Sequence, residues 1–250
     1  MNQGAVAVGP VLAVVLVVLV ILAAAAAFAG QLGVSRAVVT ASLRAVLQLA
    51  VVSLLIAAVV NSWWATAGFI LLMLLVAAYT SAGRVGARRR MVLVLLPIAA
   101  GSLPVGALIV AAGTTPLTEI ALLPIAGILI GGAMTATSLS GRRALDELRD
   151  RHGEYEAALA LGFLPRDAAL EVCRPTAGQA LVPALDQTRT VGLVTLPGAF
   201  VGVLLGGGTP VEAGATQLLV LVALLAVEVI AIAVTVELVA GGSLSRPVSR

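Results

Sequence analysis

The sequence predicts an all-α, polytopic membrane protein, and three observations carry that reading. Of 250 residues, 60% are hydrophobic and only 11% charged, whereas a soluble domain carries about 25% charged residues. So little polar surface cannot clothe a water-soluble globule, and lipid must cover the outside. The apolar residues fall into runs of about twenty, the length at which a helix rising about 1.5 Å per residue crosses a hydrocarbon core of roughly 30 Å. The arginines gather in alternate connections between those runs, as the positive-inside rule requires.

Seven spans are expected within a single transmembrane domain covering 1–250: 11–29, 37–60, 63–80, 91–112, 118–139, 190–207 and 216–240. The first carries a cleavage-like Ala27-Phe28-Ala29, but its apolar run is too long for a secretory leader and no Lys or Arg precedes it. It reads as a retained helix with its N-terminus outside. The second holds one charge, Arg44. The third is separated from it only by Asn61 and Ser62, which demands a tight hairpin, and opens on Trp63 and Trp64, residues of an interfacial aromatic belt. The fourth and fifth flank a short connection without arginine. The sixth follows the one long polar stretch, 140–189, and the seventh holds Glu228 and Glu237.

With the N-terminus outside, the inner connections hold Arg36, then Arg84 and Arg88 to Arg90, then seven arginines from Arg142 to Arg189, then Arg246 and Arg250. The outer connections hold none.

Several functions are excluded. The net charge of +3 and a pI of about 10.0 do not mark a nucleic-acid partner, because no basic helix or aromatic platform accompanies them. One cysteine, Cys173, rules out an internal disulfide and a multi-cysteine metal site. One histidine, His152, rules out the paired-histidine zinc motif. The chain contains no lysine, and a P-loop needs one to reach the nucleotide phosphates. Any ATP and magnesium therefore belong to another polypeptide, and no cofactor is expected on this chain.

In the polar stretch, Leu145, Leu148, His152, Tyr155 and Leu159 recur at helical steps from Arg142 to Leu161. Glu147 and Arg151 stand four apart in the order that favours a helix-stabilising pair. The fifth span is thus expected to continue as an amphipathic helix, closed by a left-handed Gly162. A second helix opens at Pro165, and Pro175 is expected to kink or end it. Seven arginines face eight carboxylates across the segment, a mixture suited to a protein surface rather than to anionic lipid.

Glu156-Ala157-Ala158, then Gly162 three residues on, then Val172-Cys173-Arg174-Pro175 nine further on, resemble the EAA loop of ABC-transporter permeases. Glu-Ala-Ala alone is a common helical triplet; the full spacing carries the resemblance. It departs at Arg174, where the pattern has leucine. The resemblance implies that Glu156, Ala157, Ala158, Gly162, Pro165, Val172, Arg174 and Pro175 form a cytoplasmic coupling segment gripped by a separate ATP-binding cassette subunit.

Further stretches are Arg44-x3-Gln48-Leu49, Pro124-Ile125-Ala126-Gly127, Gly131-Gly132-Ala133-Met134, Pro183-x2-Asp186 and Thr190-Val191-Gly192-Leu193-Val194-Thr195-Leu196-Pro197-Gly198. Together, from about Ser35 to Ala240, they make the chain similar to the UPF0014 permeases, a family with bacterial iron-export and plant aluminium-tolerance branches. The resemblance implies the membrane-spanning permease subunit of an ABC transporter in the cell membrane, assembled as a homodimer. It also implies export of iron or another metal ion; composition and spacing do not bear on the metal. The alternative is an ion-gradient-driven secondary transporter or channel that needs no ATPase.

Candidate pathway residues follow from placing polar or ladder-breaking groups in apolar spans. Arg44 and Gln48 share one helical face, and Arg44 either snorkels to the headgroups or lines a polar cavity. Glu228, near the middle of its span, must face protein or water, pair with a cation such as Arg44, or hold a proton. Gly127-x3-Gly131 and Gly198-x3-Gly202-x3-Gly206 allow close backbone approach. Pro124 and Pro197 break the helical ladder near them, as happens beside transport pathways. Thr135, Thr137 and Thr195 offer hydroxyls, and Met134 and Asp186 complete the set. Their donors do not form a transition-metal site.

Overall fold

The computed structural model describes residues 9–59 and 62–244. Among these the chain is helical, with one isolated bridge between Val191 and Thr195 and six helices long and apolar enough to cross a membrane. The all-α polytopic class expected from composition is the one observed. The chain divides into two units, 1–62 and 63–250; the boundary hairpin expected at Asn61 and Ser62 includes Asn61, which lies outside the described residues, as do Arg246 and Arg250.

The first unit is a helical hairpin of α1 (Pro10–Ala29) and α2 (Ser35–Val59). Pro10 opens α1, where its missing N–H would have no helical partner. The turn bends through Gln31 (φ 51°) and Gly33 (φ 70°). Val20 and Ala24 of α1 and Val39, Leu43 and Val46 of α2 line the groove between the two. Ala27 is the one residue of α1 that is buried. Such an all-round apolar helix suits lipid contact.

The second unit contains α3 (Trp63–Val85), α4 (Met91–Ala111), α5 (Glu119–Asp150), α6 (His152–Ala160), α7 (Pro165–Ala177), α8 (Val182–Thr190), α9 (Gly198–Leu205) and α10 (Pro210–Ala240). A 3-10 turn, Arg88–Arg90, leads into α4, and another, Gly178–Leu181, joins α7 to α8. Contacts at small residues show the helix directions. Gly127 of α5 meets Met73 of α3, and Gly141 meets Val85, so α3 and α5 run parallel. Gly132 meets Leu224 and Glu228 of α10, and Gly141 also meets Thr235, so α5 and α10 run parallel too. α4 runs against them: its Gly101 lies on Val227 while Arg90, just before it, donates to the carbonyls of Gly242 (3.0 Å) and Ser243. The arginine-bearing end of the bundle therefore gathers the C-termini of α3, α5 and α10.

Parallel α5 and α10 require the chain between them to return across the bundle, as a sixth span would. The return is not the single helix expected at 190–207. It consists of α8, an irregular segment at 191–197 and α9, whose eight residues rise only about 12 Å. The cause is local. Gly192 takes φ 81°, the N–H groups of Leu193 and Val194 turn back onto the Thr190 carbonyl, and Gly192 N–H donates to Thr195. Pro197 then offers no N–H and disfavours helix in the residue before it. The other long helices match the expected spans, with α5 running on to Asp150 and α10 beginning at Pro210. The start of α10 is fixed by a capping box between Thr209 and Glu212.

Candidate functional site

Two features stand out: a helical elbow built from α6 and α7, and the broken return formed by α8, 191–197 and α9. The elbow begins where α5 ends. One continuous helix was expected to Leu161; instead Arg151 leaves helical geometry (φ −107°, ψ 32°) and starts α6 at an offset. Its guanidinium joins three elements. It bonds Glu154 at the start of α6 (Nε to Oε1, 2.8 Å), pairs with Glu147 of α5 (3.6 Å), and donates to the Val172 carbonyl of α7 (3.4 Å). The hydrogen bond from Arg151 holds the Glu154 carboxyl below the usual carboxylate range.

Gly162 closes α6 as expected, at φ 94°. Gly162 N–H donates to Leu159 and Phe163 N–H to Ala158, the paired bonds of a Schellman cap. Pro165 starts α7 at its first position. Pro175, expected to kink or end α7, stands inside it: the helix continues to Ala177 before tightening into the 3-10 turn.

α7 is amphipathic. Ala168, Ala169, Leu170, Val172, Cys173 and Ala177 are buried against the rest of the bundle. Cys173 Sγ lies 3.5 Å from the Ala144 carbonyl of α5, and burial pushes its thiol up to about 11. The exposed face reaches α10: Arg166 grips Glu237 through Nη2 (2.6 Å) and Nε (3.1 Å), and Arg174 approaches the same carboxylate at 3.6 Å. Arg174, where the EAA pattern has leucine, thus serves as a tie to α10. Arg143 of α5 bonds Gln179 in the following turn. At the elbow's tip Leu161, Phe163 and Leu164 are 81%, 45% and 68% exposed, an apolar knuckle on an otherwise charged segment. Glu156, paired with His152 at 3.5 Å, Ala157, Gly162 and Pro165 are exposed beside it, Ala158 is half-buried, and Pro175 is exposed.

The pathway residues do not converge on one cavity. Arg44 and Gln48 are exposed on α2 in the first unit. Thr195, Pro197 and Gly198 stand together at the break, where Leu193 is 92% exposed. The break is tied to α10 by Phe200 N–H donating to Gln217 Oε1 at 3.3 Å. Asp186 faces Arg189 on α8 (3.7 Å). Pro124 is exposed on α5, Met134 packs at the edge of the core, and Glu228 is buried against Gly132. Of the glycines expected to allow close approach, Gly127 does so; at Gly131, Gly198 and Gly202 a Cβ would meet nothing within 4 Å. The close approaches fall at Gly101, Gly132 and Gly141 instead. The tie from Arg151 to the Val172 carbonyl and the ties of Glu237 to Arg166 and Arg174 were not legible, since those partners are distant in sequence. Among the described residues no cluster of three metal-ligating side chains occurs.

Long apolar helices, a broken return and a charged helical elbow define a multi-pass helical membrane protein. The chain belongs to the family described as Uncharacterised protein family (UPF0014), whose model matches residues 11–242. It is 33% identical over 197 residues to the UPF0014 membrane protein STAR2 of Oryza sativa subsp. japonica, spanning 78% of this chain and 69% of that protein. It is 39% identical over 126 residues to Protein ALUMINUM SENSITIVE 3 of Arabidopsis thaliana, 50% of this chain and 46% of that one. A probable iron export permease protein, FetB of Escherichia coli (strain K12), is 33% identical over 118 residues, 46% of this chain and 44% of FetB. No solved structure matches.

Proposed function

We propose that the chain is the membrane-spanning permease subunit of an ABC transporter, working in the cell membrane as two copies with a separate ATP-binding cassette subunit. The observation that carries this reading is the elbow: an arm tied through α7 to α5 and α10, with an exposed apolar knuckle at Leu161, Phe163 and Leu164. Surface ion pairs such as Arg166–Glu237 contribute at most about 1 kcal/mol each. The firmness of the arm comes from the buried face of α7, with the ion pairs fixing its register. A motor that seats the knuckle and moves it would displace α7. The Cys173 contact passes that displacement to α5, and the Glu237 ties pass it to α10. α10 in turn carries the broken return through Gln217, so the non-helical segment at 191–197 is the place where the spans bend. Non-helical backbone at membrane depth is tolerated where it is buried in protein or lines a watery cavity, which suits a pathway beside Thr195, Pro197 and Gly198.

The cargo is proposed as iron or another metal ion, on the likeness to FetB alone. With no donor cluster among the described residues, such an ion would pass hydrated or chelated. The test is reconstitution with a candidate ATPase. Gly162→Pro and Glu156→Arg are expected to insert normally and lose ATP-dependent transport. Normal transport in both would reject the elbow as lever, and gradient-driven flux from the chain alone would reject the ATP-driven reading.

A further inference from the structure

Glu228 lies midway along α10, 7% exposed. A Cβ on Gly132 of α5 would stand 3.1 Å from its Oε1, so the glycine makes room for the carboxyl. Among the described residues of the bundle no donor hydrogen-bonds it and no cation pairs with it.

The elements packed against α10 bring no compensating charge to this level. α4 contains no titratable residue from Met91 to Ala111, and α9 and the 3-10 turn at Gly178–Leu181 contain none. On α5 the nearest is Arg142, ten residues past Gly132 and therefore about 15 Å along the axis. Arg166 and Arg174 of α7 are engaged with Glu237, nine residues further down α10, while Asp186 and Arg189 of α8 face each other. α10 itself adds Glu212, which caps its own first turn. Among the described residues Glu228 belongs to no group of three His, Cys or acidic side chains that could hold a metal.

Further along α5 a neutral hydroxyl is left without a hydrogen-bond partner. Five residues past Gly132, Thr137 is fully buried and its hydroxyl has no hydrogen-bond partner. Its neighbours differ: Ser138, Ser140 and Thr235 each bond a carbonyl one turn back, and Ser138 also bonds Ser81. An ionised carboxylate at mid-span without partner is costly enough that such groups are found paired or neutral. With no pairing cation among the described residues of the seam, neutrality falls to a proton.

We infer that Glu228 is a proton-binding site, holding a proton while the seam between α5 and α10 is closed and releasing it to water when the seam opens. On opening, the Oε–H bond breaks and the proton passes to water, leaving the carboxylate hydrated; closure reverses the step. Acid pH therefore favours the closed seam and alkaline pH the open one. The inference goes beyond the permease reading and does not depend on it, since the site lies wholly in this chain.

The test uses the purified full chain and dicyclohexylcarbodiimide, whose C=N bond takes up the O–H of a protonated carboxyl in an apolar setting. The adduct is located by peptide mass spectrometry. Glu228 is expected to be modified at mildly acidic pH, with yield falling at least about tenfold toward alkaline pH, as a one-proton group changes over a pH unit. Glu228→Gln is expected to abolish the adduct and keep the melting temperature, because the amide mimics the neutral acid. No adduct at any pH, a yield that ignores pH, or a large loss of melting temperature in Glu228→Gln would each overturn the inference. The last would reveal a counter-ion.

Discussion

Single residues decide how closely the helices meet. A Cβ on Gly101 would lie 2.6 Å from the Val227 carbonyl, a backbone atom that cannot rotate away. Gly101→Ala is therefore expected to push α4 from α10 and destabilise the bundle by about 1–3 kcal/mol, the usual cost of overpacking, seen as a lower melting temperature in detergent. Gly131→Ala, with nothing within 4 Å, is expected to change it by less than about 0.5 kcal/mol. Cys173 yields a second outcome. With its thiol pushed up to about 11 by burial, it is expected to resist alkylating reagents at neutral pH in the folded chain and to react on unfolding. Alkylation that is fast in the native state would show that α7 leaves α5 spontaneously. These contrasts explain what could be read from residues alone. Gly162 and Pro165 were legible because a helix cap and a first-turn proline are local demands. Gly131 and Gly132 are adjacent in sequence, and only the facing helix distinguishes them.

At the scale of elements, the elbow and the broken return illustrate opposite limits. Glu147 and Arg151 were legible as a pair because helical spacing alone brings them together. That Arg151 also holds Glu154 and the Val172 carbonyl, and that Glu237 holds Arg166 and Arg174, depends on how separate helices dock. Hydropathy counts side chains, and the side chains of 190–207 are apolar enough to read as a span. What breaks the helix is backbone: a left-handed Gly192 and the missing N–H of Pro197. Replacing Glu237 by Gln is expected to loosen α7 while leaving the core intact. Amide exchange should rise severalfold across Pro165–Ala177 and stay unchanged in the middle of α5. Unchanged exchange in α7 would mean that its buried face alone seats the elbow.

For the whole molecule, the expected sidedness makes a direct test. With an N-terminus outside, the connection at 112–118 faces out and the elbow faces in. Single cysteines placed at Leu117 and Phe163, both exposed, in a Cys173→Ser background are expected to react with a membrane-impermeant thiol reagent from opposite sides. Labelling of both from one side would overturn the topology, and with it the elbow as a docking arm for a cytoplasmic motor. The membrane class and most helices were legible because lipid imposes length and polarity on each span separately. The parallel packing of α3, α5 and α10 was not, since it is written in contacts such as Gly141 with Val85 and Thr235.

That shared direction has an electrical outcome. Each α-helix behaves as though it carried about half a negative charge at its C-terminus. Among the four long helices of this bundle three point one way and α4 the other, so their dipoles leave a net negative pole at a single end. Arg84 and Arg88 to Arg90 stand at that end, and Arg90 donates to the carbonyls of Gly242 and Ser243, just past the end of α10. The cations expected to orient the protein during insertion thus also stand against the polarity its folded backbone creates.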